Sequence, residues 1–304
     1  MNAPDVARLG LGSAQFGMDY GLSNADGRVP VPQVAAILAA AFDAGLRLVD
    51  TAPAYGEAET VLGACLPQQG CEVVTKTLAI KKPKVAAEDV KAVADAFAQS
   101  RRRLRRASVY GLLVHHADDL LVPGGDRLYA AMREWQAAGA VQKIGVSLYT
   151  AAQLDAVMDR YEIGIVQLPL NVADQRRLRD GRLAALRQRG VETHARSVFL
   201  QGALLTEPER LPSSFAALRP RLTAFRDACR QAAIAPLDAC LHFALRTAGA
   251  DRIVLGVCSK EQLDAILTSV RRGQGLPDPE TLAWPDDRWL DPSQWPSMGM
   301  TNGK

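Results

Sequence analysis

Short apolar runs alternate with longer amphipathic stretches along most of this chain. Each run is bounded by glycine, proline or polar residues, which is typical of a buried strand. The predicted strands lie at residues 9–14, 45–49, 71–76, 109–114, 141–147, 163–167, 191–196 and 253–256. Between the runs, apolar residues recur at helical spacing. The predicted helices lie at residues 34–44, 57–66, 88–105, 126–138, 183–189, 219–233, 236–248 and 260–270, and one more starts after Thr150 as its N-cap.

This alternation predicts an α/β fold with a parallel sheet. About eight strand–helix units with short connections favour a single closed (β/α)8 TIM barrel. An open doubly wound sheet is the alternative, but it would want a Gly-x-Gly-x-x-Gly opening its first helix, and residues 9–40 contain none. No linker divides the chain. We therefore predict one domain over residues 1–304, with the barrel at about 9–272 and a Pro/Trp-rich C-terminal tail at 273–304.

Four polar side chains stand at or just beyond the ends of successive predicted strands. Asp50 and Tyr55 follow the second strand, Lys76 ends the third and His115 follows the fourth. The carboxyl ends of barrel strands meet at one mouth, where enzymes of this fold keep their active sites, so we expect these side chains to lie together. A purely structural interpretation is an Asp50–Lys76 ion pair with a packed loop tyrosine. Because strand residues alternate in direction, only one of His115 and His116 faces the barrel.

These residues belong to longer motifs. Val-Asp-Thr-Ala-x-x-Tyr-Gly at residues 49–56, Thr-Lys at 75–76 and Leu-Leu-Val-His at 112–115 resemble, in order and spacing, the aldo-keto reductase family. The resemblance covers most of the chain. It implies an NAD(P)H-dependent carbonyl reductase whose catalytic tetrad consists of Asp50, Tyr55, Lys76 and His115.

The chemistry of carbonyl reduction suits these residue types. Hydride transfer leaves negative charge on the carbonyl oxygen, so a proton donor is needed, and Tyr55 is the implied general acid. A free tyrosine has a pKa of about 10. A neighbouring Lys76 ammonium would lower that pKa, and Asp50 would keep Lys76 charged and oriented. His115 would donate a hydrogen bond to the carbonyl oxygen.

The resemblance also implies cofactor contacts from the ends of strands five to eight and from the start of the last helix. They involve Ser147, Gln167, Arg196, Ser197, Gly202, Gly256, Ser259, Lys260 and Gln262. At Gly202 the missing side chain would allow the pyrophosphate close to the backbone. A helix beginning near Lys260 suits an anion at its N-terminus.

Some cofactor positions depart from the family's pattern. Leu148 stands where an asparagine usually follows Ser147, and Arg196 stands where many members stack a tyrosine on the nicotinamide. A guanidinium also stacks on planar rings, so we expect Arg196 to take that role. Lys260 is the only cation within residues 255–262. NADP(H) is the cofactor favoured by the family, and NAD(H) remains the alternative.

Composition narrows the function classes. The chain has 304 residues, 48% hydrophobic and 23% charged, and 36 basic residues against 33 acidic ones give a net charge of +3. Such a balance gives no footprint for nucleic acid. The N-terminus has no signal-peptide pattern and no apolar run is long enough to span a membrane. Five cysteines without Cys-x-x-Cys spacing favour a reduced, cytoplasmic protein.

Other readings of the chain stay open. A nicotinamide-binding sensor or partner-binding subunit with little turnover could use the same fold. A barrel enzyme with a metal on Asp50 and the histidine pair is a weaker hypothesis, and we predict no metal site because no other ligand spacing is present. The motifs at residues 15–21 and 195–197 resemble bacterial members linked to sugar or polysaccharide biosynthesis, which suggests a sugar-derived carbonyl substrate. Oligomeric state is left open.

Overall fold

The computed structural model describes residues 3–22, 24, 26–272, 278–285, 287–292 and 295. Eight parallel strands pair in chain order and close into a barrel, which confirms the predicted (β/α)8 fold. The strands are β1 (Leu9–Gly12), β2 (Leu48–Asp50), β3 (Glu72–Lys76), β4 (Val109–Val114), β5 (Val141–Ser147), β6 (Ile165–Pro169), β7 (Glu192–Arg196) and β8 (Arg252–Gly256).

Helices surround the barrel and connect its strands. They are α1 (Ala3–Ala7), α2 (Ala14–Gly17), α3 (Val31–Asp43), α4 (Ala58–Cys65), α5 (Ala87–Arg103), α6 (Asp118–Leu121), α7 (Gly125–Ala137), α8 (Ala151–Arg160), α9 (Arg176–Arg179), α10 (Arg182–Gln188), α11 (Arg219–Gln231), α12 (Pro236–His242), α13 (Lys260–Arg272), α14 (Pro279–Leu282) and α15 (Asp287–Leu290). Short 3-10 helices cover Leu200–Leu205, Pro208–Arg210 and Ser213–Leu218, and a π-helical turn covers Phe243–Thr247.

The predicted and observed elements differ mainly at their ends. The first strand ends at Gly12, and α2 follows it at once. Gly17 closes α2 against the loop after β2: a Cβ atom there would lie 1.9 Å from the carbonyl oxygen of Tyr55, so only glycine fits. Helix α3 starts before the predicted position because Pro32 lies in its first turn. The N–H groups of a first turn have no partner within the helix, so the N–H that proline lacks costs no hydrogen bond there.

Apolar side chains fill the middle of the barrel. They form a cluster separate from the core that lies between strands and helices, and consist of Leu48, Val74, Leu113, Ile165 and Val254. Glycine makes this packing fit: a Cβ atom at Gly145 would lie 2.3 Å from the carbonyl oxygen of Ile165. The filled middle restricts polar chemistry to the two ends of the barrel.

The described part of the C-terminal tail packs against the segments that follow β6 and β7. Trp289 is buried, and its ring centroid lies 6.0 Å from that of Phe215. Trp295 meets the same phenylalanine edge-on at 5.2 Å. The backbone N–H of Trp284 donates to the carbonyl of Ala173 at 2.9 Å. These contacts attach the tail to the barrel; residues 273–277, 286, 293–294 and 296–304 lie outside the described residues.

Candidate active site

A buried ion pair forms the base of the barrel mouth. Asp50 ends β2 and Lys76 ends β3, and the Nζ atom of Lys76 lies 2.6 Å from Oδ1 of Asp50. Lys76 also donates to the carbonyl oxygen of Thr51 at 2.9 Å. The other carboxylate oxygen of Asp50 accepts from Nε2 of Gln167 at 2.8 Å. Both charges are thus compensated by partners, as burial requires.

Tyr55 and His115 lie directly above this pair. The Nζ atom of Lys76 is 5.0 Å from the centroid of the Tyr55 ring. The rings of Tyr55 and His115 meet edge-on, with centroids 6.0 Å apart. The structure therefore brings all four predicted tetrad residues together at the carboxyl ends of the strands. His116 instead places Nδ1 3.1 Å from the carboxylate of Asp119, at the rim.

The loop after β2 holds Tyr55 in a tight turn. The backbone N–H of Tyr55 donates to Ala52 at 3.0 Å, and Ala58 donates to the Tyr55 carbonyl at 3.1 Å as α4 begins. Gly56 between them has φ 54°, a left-handed conformation that glycine adopts without strain. A Cβ atom at Gly56 would lie 2.4 Å from the carbonyl oxygen of Gly17. The Pro/Gly punctuation of the sequence thus fixes where the phenol stands.

The pKa of Tyr55 corrects one sequence-based expectation. Lys76 lowers the pKa of the phenol as predicted, but burial has the larger effect and raises the pKa above its ordinary value of 10. Burial lowers the pKa of Lys76, yet the negative charge of Asp50, together with side-chain hydrogen bonds to Asp50 and Tyr55, outweighs it and raises that pKa. Near neutral pH the phenol therefore holds its proton beside a charged ammonium.

His115 is neutral near neutral pH. Burial, with the positive charges of Lys76 and Arg196 nearby, lowers the pKa of its imidazole to about 3. Its backbone N–H donates to Oγ1 of Thr77 at 3.2 Å, which ties the end of β4 to the loop after β3. A neutral imidazole offers one ring N–H as a donor to a bound oxygen.

Two predicted cofactor residues stand side by side at the ends of neighbouring strands. Ser147 on β5 and Gln167 on β6 are register partners in the sheet. The amide nitrogen of Gln167 is bonded to Asp50, so its Oε1 atom is the group left to accept a hydrogen bond from a ligand. A serine hydroxyl beside an amide oxygen matches the donor and acceptor pattern of a carboxamide.

Arg196 has an aromatic neighbour within the chain. Its guanidinium carbon lies 4.1 Å from the centroid of the Tyr149 ring, so one face of its plane is covered by that side chain. Its nitrogens donate to the carbonyl of Leu148 at 3.3 Å and to Oγ of Ser197 at 3.4 Å. Arg196 remains at the end of β7 by the mouth, as predicted.

The segment after β7 has an unusual backbone. Ser197, Leu200, Gln201 and Gly202 all have positive φ values, of 58°, 47°, 52° and 90°. Such conformations cost energy outside glycine and persist where surrounding contacts determine them. One such contact joins two loops, because the carbonyl of Gln201 accepts from the N–H of Leu22 at 2.9 Å.

The turn after β8 is organised as a helix cap. Oγ of Ser259 accepts from the N–H of Gln262 at 3.2 Å, and Oε1 of Gln262 accepts from the N–H of Cys258 at 2.8 Å. Lys260, the first residue of α13, places Nζ 2.6 Å from the carboxylate of Asp264. The side-chain amide of Gln15 packs against Gly256 at the end of β8: a Cβ atom there would lie 2.5 Å from its nitrogen, so a larger residue would require Gln15 to move. The predicted phosphate-binding residues thus have intramolecular partners.

Three mouth residues were missed by reasoning from sequence. Burial and the neighbouring Tyr55 and Tyr149 raise the pKa of Tyr20, so its phenol stays neutral beside the tetrad. Tyr149 covers Arg196, and Lys81 lies on the loop after β3. Tyr149 and Lys81 follow the ends of β5 and β3, whereas Tyr20 follows β1 after the short helix α2; a position on the segment after a strand end is the signal that marks mouth residues in a barrel.

Two kinds of feature are absent from the described residues. In that part of the chain no group of three or more His, Cys, Asp or Glu side chains is placed to hold a metal ion. Across the same ranges, no helix combines the length and apolarity needed to cross a membrane.

Comparison with known proteins places this geometry in a family. The sequence model described as the Aldo/keto reductase family matches residues 8–274. The chain belongs to this family, which confirms the predicted relationship. Members of this family are oxidoreductases that act on carbonyl or alcohol groups and use nicotinamide cofactors.

Individual relatives are distant. Aldo-keto reductase YhdN of Bacillus subtilis (strain 168) is 27% identical over an alignment of 179 residues, which covers 56% of this chain and 52% of that protein. The chain thus spans about half the length of this curated relative.

Solved structures match over a larger share of the chain. The aldo-keto reductase AKR11C1 from Bacillus halodurans in its holo form has a TM-score of 0.71 at 18% identity, covering 91% of this chain and 92% of that one. The glycerol dehydrogenase AKR11B4 from Gluconobacter oxydans has a TM-score of 0.66 at 20% identity, covering 90% and 89%. At these identities the likeness establishes a shared fold.

Proposed function

We propose that this protein is an NAD(P)H-dependent carbonyl reductase in which Tyr55 is the general acid. The observation that supports the proposal most is the buried Asp50–Lys76 pair with Tyr55 and His115 above it at the barrel mouth. Structural ion pairs are common, but this one lies beneath a phenol and a neutral imidazole that both border the open end of the barrel. Family membership supports the same reaction class.

Each tetrad residue has a role that follows from its state. Tyr55 keeps its proton until a carbonyl oxygen gains negative charge, and then donates it from Oη. Lys76 stabilises the phenolate that remains, and Asp50 keeps Lys76 charged and in place. His115, with its pKa of about 3, donates a ring N–H to the same oxygen and orients it.

The mouth has groups that fit a nicotinamide cofactor. Ser147 and Gln167 present a hydroxyl and an amide oxygen at adjacent strand ends, which suits the carboxamide. The cofactor, when bound, supplies the hydride to the carbonyl carbon. Arg196 borders the same space with one face on Tyr149, and stacking of its other face on the nicotinamide ring is part of the proposal.

Preference between NADPH and NADH depends on the turn after β8. NADP(H) is favoured by the family, and a 2′-phosphate would use Lys260. In this structure Lys260 is paired with Asp264 and followed by the acidic Glu261, which reduces the positive charge available there. We therefore propose that the enzyme accepts both cofactors, NADPH with only a modest advantage.

The substrate and setting are extensions of the same proposal. The motifs at residues 15–21 and 195–197 favour a sugar-derived aldehyde or ketone. All five cysteines are free, which suits a compartment that keeps thiols reduced, such as the cytoplasm.

Turnover with and without Tyr55 tests the proposal. We expect the wild-type protein to consume NADPH or NADH with a panel of reactive aldehydes and diketones. Tyr55→Phe should lower that rate about 10²–10⁴-fold. Cofactor binding, followed by quenching of tryptophan fluorescence, is expected to be unchanged in the variant. Turnover that survives in Tyr55→Phe contradicts the mechanism. Binding without turnover in the wild type would favour a cofactor sensor, and absence of binding would contradict the cofactor assignment.

A further inference from the structure

The loop after β3 carries an ammonium group at the rim of the mouth. Lys81 is exposed, and among the residues that the structure describes no carboxylate oxygen lies within 4.0 Å of its Nζ atom. Its neighbour Lys82 is different, because its Nζ atom pairs with the carboxylate of Asp89 at 2.5 Å. Lys81 thus has a positive charge with no salt-bridge partner in the described chain.

The backbone at Lys81 is held in a defined shape. Its φ of 52° lies in the left-handed region, which costs energy for a residue with a side chain. The N–H groups of Ile80 and Lys81 both donate to the buried carboxylate of Asp119, each at 2.8 Å. The carboxylate of Asp119 thus accepts both backbone N–H groups of this turn and stabilises its strained conformation. Lys81 is therefore positioned by a buried anchor.

The charges around the mouth favour an anion. Three cations, Lys76, Arg196 and Lys81, and one carboxylate, Asp50, act electrostatically on His115. Together with burial, the three cations lower the pKa of its imidazole. Lys76 is already paired with Asp50. Of these three cations, Arg196 and Lys81 have no carboxylate partner among the described residues.

These two cations lie across the mouth from each other. Arg196 ends β7, while Lys81 follows β3, and in the closed order β1 to β8 these strands stand on opposite sides of the barrel. The same loop exposes Leu78, whose accessible fraction of 44% is unusual for a leucine. The β3 side of the mouth thus offers an apolar contact next to a cation.

We propose that Lys81 binds a carboxylate on the substrate, remote from the reacting carbonyl, and so makes anionic aldehydes or ketones the preferred substrates. Leu78 contacts the apolar part between the two groups. This assignment rests on the proposed reductase function, which supplies the reacting carbonyl at Tyr55 and His115. Lys81 is a specificity-determining residue and takes no part in proton transfer.

A matched pair of aldehydes tests the assignment. We compare 4-carboxybenzaldehyde with methyl 4-formylbenzoate in the wild type, Lys81→Gln and Lys84→Gln. Lys84 is an exposed lysine of the same loop and serves as the control. Each variant is compared with the wild type on the same substrate, so the intrinsic reactivity of the two aldehydes cancels.

The expected result is selective. Lys81→Gln should lower kcat/KM for the carboxylate about tenfold, mainly through KM, because a hydrogen bond to a charged group is lost. The ester should change less than twofold, and Lys84→Gln should affect neither substrate. Equal losses for acid and ester, or no loss for the acid, would overturn the assignment.

A binding measurement separates this proposal from the reductase proposal. Calorimetry follows 4-(hydroxymethyl)benzoate, the corresponding alcohol, binding to the wild type and to Lys81→Gln. Binding that depends on Lys81 without turnover of either aldehyde would support the anion site and contradict the reductase. Turnover without any dependence on Lys81 would support the reductase and contradict the anion site. Absence of both turnover and binding would contradict the two proposals together.

Discussion

Charged side chains gather at both ends of the barrel interior, and the two groups are arranged differently. At the mouth, one ion pair between Asp50 and Lys76 is buried, while Tyr55 and His115 above it are partly exposed. At the opposite end, the floor cluster contains Glu72, Tyr110, Lys143, Glu192, His194 and Arg252, which all lie at or near the amino ends of their strands.

Glu192 is the centre of the floor cluster. It accepts hydrogen bonds from Tyr110 and Lys143, and Nε2 of His194 lies 2.9 Å from its Oε1 atom. Arg252 reaches Oε1 of Glu192 at 3.3 Å. Burial alone would raise the pKa of Glu192, but these donors hold it well below its usual range.

The difference between the ends teaches how one fold divides its polar groups. The floor surrounds its central carboxylate with donors, so its polar groups stabilise the structure and have little capacity left for a ligand. The mouth pairs only the charges that would otherwise be costly and leaves a phenol, an imidazole and two cations facing the opening. The apolar cluster of Leu48, Val74, Leu113, Ile165 and Val254 separates the two ends.

Lys76→Met should have the largest effect, because it removes the buried cation that is paired with the buried carboxylate of Asp50. We expect turnover to fall by about 10³ and the free energy of unfolding to fall by about 3–5 kcal/mol. Steady-state kinetics and urea unfolding measure the two losses. The double variant Asp50→Asn/Lys76→Met should recover most of the stability but none of the activity. Activity that returns with stability would mean that the pair is only structural.

Glu192→Ala should lower the stability of the protein while leaving its activity nearly unchanged. It leaves Lys143, His194 and Arg252 without their shared acceptor, and we expect the free energy of unfolding to fall by about 2 kcal/mol. The kcat/KM of the folded protein should change less than twofold, because the apolar cluster isolates the mouth. Glu192→Gln, which keeps an acceptor oxygen, is the control and should lose less stability. A large loss of kcat/KM would show that floor and mouth are coupled.

The pH dependence of stability gives the smallest expected effect. His115 has a pKa of about 3 in the folded protein, against an ordinary value near 6.5 when unfolded. The unfolded chain therefore binds a proton first, so stability is complete above pH 6.5 and declines as the pH falls towards 3. Because His115 is partly exposed, solvent reduces the full linkage effect, and we expect about 1 kcal/mol of the loss between pH 7 and pH 5 to disappear in His115→Gln.

His116→Gln is the matched control for this measurement, since His116 neighbours His115 but contacts Asp119 at the rim. Urea unfolding at both pH values should show the wild-type loss in this control. An equal loss in His115→Gln and the wild type would mean that another group is responsible.

The sequence was sufficient for the fold and for the positions of the tetrad residues. Short apolar runs alternating with amphipathic helices predicted a closed barrel, and a barrel brings all strand ends to one mouth. Asp50 and Lys76 met there because each ends its strand. Thr150 also caps its helix as predicted, accepting from the N–H of Gln153 at 3.1 Å. Such features depend on local periodicity and strand order, which are written along the chain.

Other properties depended on which side chains approach each other in space. The stacking of Arg196 on Tyr149 and the pairing of Lys260 with Asp264 have no distinctive motif. The pKa of Tyr55 rises although Lys76 is beside it, because burial outweighs the ammonium. Local patterns alone determined the barrel and the place of its chemistry. Only the tertiary structure decided the charge state of that chemistry, because burial and long-range contacts are properties of the whole fold.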